Sequence, residues 1–133
     1  MIRTTRRELE KAYRVNGASF GGCTSSAERL LLFYAVECGL KVLIMRLRNV
    51  QTSTDLAEEF HIGHDIREGL KKTYAPARLA IRSTATLHSQ DPQDFVHPQH
   101  LHQAFRYAVT VASEEEIAAE LREIMEWLNE RLR

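Results

Sequence analysis

Wound at 3.6 residues per turn, the segment 25–48, SSAERLLLFYAVECGLKVLIMRLR, places apolar residues on nearly every side. A surface helix keeps one polar face for water, so a helix that is apolar all round has to be wrapped by others. Ser25 and Glu28 have the S-x-x-E spacing of a capping box, and the Gly21-Gly22 break precedes them. Glu37 and Lys41, at i and i+4, are set into the middle of the run. The longest uncharged stretch within it is residues 30–36, far below the roughly 18 residues of a bilayer span, so no membrane crossing is expected.

The flanking patterns predict further helices. Residues 5–15 form the first, stopped by Asn16-Gly17. Arg3, Arg7, Lys11 and Arg14 recur at spacings that put them on one face, with Leu9, Ala12 and Tyr13 turned away from it. Residues 55–60 predict a short helix capped by Thr54 and ended by Gly63. His64-Asp65 then opens a helix carrying Ile66 and Leu70, with lysines at its C-terminal end where they suit the dipole. Beyond Pro76, helices are predicted over 77–87 and, from Pro98 in its first turn, over 98–109 with Leu101, Phe105 and Ala108 inward.

Ser113 and Glu116 form a second capping box. The last helix puts Ile117, Leu121, Ile124, Leu128 and Leu132 on one stripe with Trp127 beside it. No run alternates as a strand would. The predicted architecture is therefore all-α: a single domain over 1–133, a bundle of about five helices around a buried central helix (about 25–48). Its parts are a basic N-terminal helix (4–15), a core over 25–110 and an acidic C-terminal helix (114–132).

Composition adds little except through charge. Two cysteines, Cys23 in a loop and Cys38 on the central helix, make no disulfide framework and suit a reducing cytoplasm. The N-terminus lacks the apolar segment of a secretory signal. The net charge is zero, but residues 1–48 hold nine Lys/Arg against four Asp/Glu, and 113–133 hold seven acids against three bases. A basic start and an acidic end imply an anionic partner at one face or complementary surfaces between copies.

Two segments, Tyr34-Ala35-Val36-Glu37-Cys38-Gly39-Leu40-Lys41 and Gly63-His64-Asp65-Ile66 with Leu70 following, resemble the HEPN superfamily, small helical-bundle proteins of prokaryotic toxin–antitoxin and antiphage systems. The second is similar to the family's G-H-D-L-x-x-L. Phe105-Arg106-Tyr107 is a fainter echo of its late R-Y element. The resemblance implies an HEPN-like bundle that forms a homodimer or joins a larger complex, in which Glu37, Lys41, His64 and Asp65 are structural. It further implies either an RNA- or nucleotide-associated binding and assembly subunit or, alternatively, a metal-independent endoribonuclease.

Active members pair an Arg with a His four to six residues on. Arg82-Ser83-Thr84-Ala85-Thr86-Leu87-His88 has that spacing, so Arg82 and His88 are the candidate catalytic pair. In that chemistry the Arg steadies the phosphate while the His moves a proton to or from the reacting oxygens. The binding reading rests on Arg3, Arg7, Lys11 and Arg14 meeting RNA phosphates.

Other constellations carry less. His61/His64 and His97/His100 are H-x-x-H pairs, but Gly63 and Pro98 interrupt the spacers, so no metal and no cofactor is expected. The residues 17–24, GASFGGCT, match a P-loop in glycine spacing, yet Cys23 stands where the lysine is needed. Only a weak phosphate cradle at the start of the central helix survives. Glu37 and Lys41 read as a polar pair satisfied inside the bundle or across a dimer seam, with general-base work by Glu37 the alternative.

Overall fold

The six consecutive residues 35–40 are all buried. At 3.6 residues per turn they circle the helix axis more than once, so α2, Ser26–Leu47, is enclosed on every side here. The computed structural model describes residues 3–22, 24–81 and 114–133, together with the backbone of 85–87, 95–96 and 111–112. Among these residues the fold is helical, with four α-helices. Beside α2 they are α1 (Arg6–Gly17), α3 (Ile66–Lys72) and α4 (Glu114–Arg131).

α2 begins where its sequence says it should. Ser25 Oγ accepts from the Glu28 N–H while the Glu28 carboxylate reaches back to the Ser25 N–H. It ends in a Schellman motif: Asn49 takes φ 55°, and Val50 N–H donates to Met45 C=O at 3.0 Å. α1 starts in the same way, with Thr5 and Glu8 completing a capping box. It runs to Gly17, two residues past the expected stop, with Ala18 as C-cap.

The segment ahead of α1 is stitched to the segment after α2. Thr5 bridges Thr52, Arg6 N–H donates to Gln51 C=O at 2.8 Å, and Ser53 N–H donates to Thr4 C=O at 2.8 Å. α1 and α2 therefore form an antiparallel hairpin, with Leu9 and Ala12 partly buried and Tyr13 fully buried against the core. α4 lies alongside α2 in the same direction, with Arg29 paired to Glu114 at 2.9 Å near the start of both helices. Its apolar stripe is buried as expected: Ile117, Leu121, Ile124, Trp127 and Leu128, with Leu132 partly so.

Between α2 and α4 the chain departs from expectation. Residues 55–60 do not form one helix; two short 3-10 turns, Ser53–Asp55 and Glu58–Phe60, take their place. The helix expected over 77–87 is absent. Residues 77–78 make a turn, Leu79 and Ile81 are buried on either side of the half-exposed Ala80, and Ala85–Leu87 is a strand. The extended path is fixed by Arg67, whose Nε and Nη2 donate to Ile81 C=O at 3.1 and 2.8 Å.

That strand, β1, is the middle of a small antiparallel sheet with β2 (Phe95–Val96) and β3 (Val111–Ala112). Its register pairs Ala85 with Val96 and Leu87 with Val111. The helix expected over 98–109, the Ser113 cap and the Phe105-Arg106-Tyr107 element lie outside the described residues. No helix among the described residues is long and apolar enough to cross a membrane.

Candidate functional site

Glu37 sits in the most enclosed part of α2, 6% exposed. A carboxylate there has lost most of its water and needs compensation from the protein. It comes from two elements. Lys41, one turn further along α2, holds Nζ 3.8 Å from Glu37 Oε2. From the start of α3, His64 Nδ1 donates to Glu37 Oε1.

Local geometry explains why His64 faces back. Gly63 has φ +58°, a conformation that residues bearing a Cβ rarely adopt, and it turns the chain just before α3. Asp65 then caps that helix, its Oδ1 accepting from Glu68 N–H at 3.2 Å. The two residues from the G-H-D segment thus have separate work: Asp65 starts α3, and His64 joins α3 to α2.

A carboxylate accepts only, so Nδ1 of His64 carries the proton in this contact. The His64 side chain is 47% exposed. A partly exposed imidazole oriented by a buried carboxylate is an arrangement that can take and pass a proton. The neighbouring thiol is no nucleophile: burial, with Glu37 adding to it, pushes Cys38 up to about 11, so it stays neutral and inert near pH 7.

Burial also pushes Tyr13 up to about 12, and its hydroxyl donates to Asn129 Oδ1. Both groups hold their protons more tightly folded than unfolded. Their stabilising contribution is complete below the unfolded values of 9.0 and 10.0, and is lost as pH rises through about 11 and about 12. The urea midpoint is expected to fall steadily above pH 9.0, and Cys38→Ala is expected to remove the earlier part of that fall. A midpoint constant up to about pH 11 would contradict it.

Beside Lys41 lies a cavity of ≈ 230 Å³ between the start of α1, the second half of α2 and residues 53–63. Leu9, Met45, Leu56, Phe60 and Ile62 supply its apolar wall, and Lys41, Ser53 and His61 its polar groups. His61 donates Nε2–H to Leu56 C=O at 2.9 Å. Arg48 and Lys72 lie 4.4 and 5.3 Å from the Phe60 ring centroid. The sequence reading, a short helix over 55–60, gave no signal for this site.

The basic residues are on the outside. Arg7, Lys11 and Arg14 are exposed along α1. Arg3 is exposed as well but precedes the N-cap Thr5, so it stands on an extended segment rather than in helical register with the other three. The Glu8 carboxyl lies below the ordinary range, held there first by the Thr5 hydrogen bonds and then by Arg3. Arg82 and His88, the candidate catalytic pair, lie outside the described residues, as do His97 and His100. His61 and His64 each commit a ring nitrogen to a partner within the chain.

No known family model, curated protein or solved structure matches this chain. The geometry therefore has to carry the functional reading. It offers a carboxylate–histidine–lysine cluster at the α2–α3 junction, a cavity next to it, and a cationic row on α1.

Proposed function

We propose that this chain is an HEPN-like helical module that binds RNA and assembles, as a homodimer or as a subunit of a larger prokaryotic defence or toxin–antitoxin complex. One observation carries the RNA-binding part. Arg7, Lys11 and Arg14 are exposed on α1 and make no ion pair among the described residues. By contrast Arg6 and Arg46, on the same hairpin, are both paired with Glu10. A row of unneutralised cations gains free energy on meeting phosphates, chiefly by releasing their counterions.

The HEPN-like part is supported by the meeting of the two resembling segments: Glu37 and Lys41 come from one, His64 from the other, and they form one cluster. Assembly is supported by the opposite sign of the outer face of α4, where Glu115, Glu116, Glu123, Glu126 and Glu130 are exposed. That face suits the basic row of a second copy, and a native mass of twice 15.3 kDa would meet the expectation.

The deciding experiment is RNA affinity across a salt series, for wild type and Arg7→Glu/Lys11→Glu. The variant is expected to bind at least about tenfold more weakly at low salt. Its log–log salt slope is expected to be shallower by about 1.4, or ~0.7 for each lost single-strand phosphate contact. An identical slope would remove α1 from the reading. The same RNA incubated in EDTA is expected to stay intact; cleavage that His88→Ala abolishes would favour the Arg82/His88 endoribonuclease instead.

A further inference from the structure

The cavity beside Lys41 plays no part in RNA binding by α1, and its chemistry is specific. Lys41 has three ammonium donors, yet its ion-pair partner among the described residues, Glu37, is 3.8 Å away, beyond hydrogen-bond reach. His64 holds the other carboxylate oxygen, Oε1. Ser53 Oγ accepts from Thr4 N–H at 2.9 Å, which leaves its own O–H as a donor to the cavity side. Thr4 and His61 also reach the wall, His61 with its Nε2–H already committed to Leu56 C=O, and the remainder is mainly apolar, including the Phe60 ring with Arg48 and Lys72 close to it. Two donors, one of them a cation, set in an apolar chamber select an acceptor that is negative and carries an apolar body.

Size narrows the class. An apolar cavity of about 150 Å³ holds benzene, so ≈ 230 Å³ scales to roughly nine or ten heavy atoms. We infer that this cavity is a binding site for a small organic carboxylate whose apolar body packs on Leu9, Met45, Leu56 and Phe60 while its carboxylate accepts from Lys41 and Ser53.

The test titrates the full chain, methyl-labelled at methionine, with phenylacetate and with its uncharged isostere phenylacetamide. Phenylacetate is expected to shift the Met45 methyl resonance, saturating by about 10 mM, as befits a ligand of this size. Met125, whose methyl packs at Gly17 and does not line the cavity, is expected to stay unmoved. Phenylacetamide and the variant Lys41→Met are each expected to weaken binding at least about tenfold, the worth of one charge-assisted hydrogen bond. Leu56→Trp, which fills the chamber, is expected to abolish the Met45 shift, whereas Arg7→Glu/Lys11→Glu leaves it intact.

No Met45 shift, an equal shift at Met125, or amide binding as tight as the acid would each overturn the inference. Should Lys41→Met fail to fold, the acid–amide comparison on the wild-type chain decides alone.

Discussion

Replacing His64 by leucine and Lys41 by methionine together is expected to cost about 3 kcal/mol of stability, and adding Glu37→Leu is expected to return most of it. The reason is asymmetry in the cluster. Glu37 is 6% exposed, while its partners keep contact with water, His64 at 47% and Lys41 at 30% of their side chains. Either partner alone is screened by solvent, so each single substitution is expected to cost only about 1 kcal/mol. Removing both leaves a carboxylate in the most enclosed turn of α2 with no compensation, and the penalty then exceeds the sum of the two. The triple variant replaces the whole cluster by apolar groups beside Leu40 and Ile66, both fully buried, where such groups are at home.

Urea unfolding with an unchanged slope would report these differences as shifts in midpoint. A triple variant no more stable than the double would mean that His64 and Lys41 matter for shape rather than charge. Strict additivity of the two singles would mean that they do not share Glu37.

How much of this was legible in the sequence differs by element. The capping box of Ser25 and Glu28 is local chemistry, and α2 starts at Ser26, directly after the N-cap. The stripe of α4 is a period of 3.6 and nothing more, so it too was readable; Ala118 and Met125 join it at the core. The cluster was half legible. The i, i+4 spacing placed Lys41 next to Glu37, but the third member comes from 27 residues on and depends on the Gly63 turn. No periodicity encodes that contact.

The region 77–87 misled for a different reason. Leu79 and Ile81 are two apart and both buried, the mark of an extended chain, but three residues of alternation are too few to outweigh a helix-like run. What settles their path is Arg67, a residue of α3, which reaches across to the Ile81 carbonyl. Arg3 was misplaced by counting helical spacing through Thr5, which is the N-cap and holds β-region dihedrals. The cavity was missed because its wall is drawn from three elements, and only their packing brings Leu9, Met45 and Leu56 together.

The other large effect expected is at Gly39. A Cβ there would stand 2.8 Å from Leu128 Cδ1 and 2.9 Å from both Cδ2 and Cε2 of Tyr13, closer than real Cβ contacts allow. Here side chains of α1 and α4 both press on α2, and one absent methyl group lets them do so. In mid-helix glycine ordinarily costs about 1 kcal/mol against alanine, so local propensity alone would favour replacing it. Tertiary packing opposes that gain. Leu128 can turn a methyl away, but the Tyr13 ring cannot easily follow, since its hydroxyl is tied to Asn129 on α4. Gly39→Ala is therefore expected to destabilise despite its better propensity, by about 1 kcal/mol net, and Gly39→Val by about 3 kcal/mol. For a domain of this length the latter lowers the thermal midpoint by roughly 10 °C. Tyr13→Leu in the same chain removes the rigid ring and its tie, and is expected to make Gly39→Ala nearly neutral. If Gly39→Val melts with wild type, the three helices do not meet as closely as this.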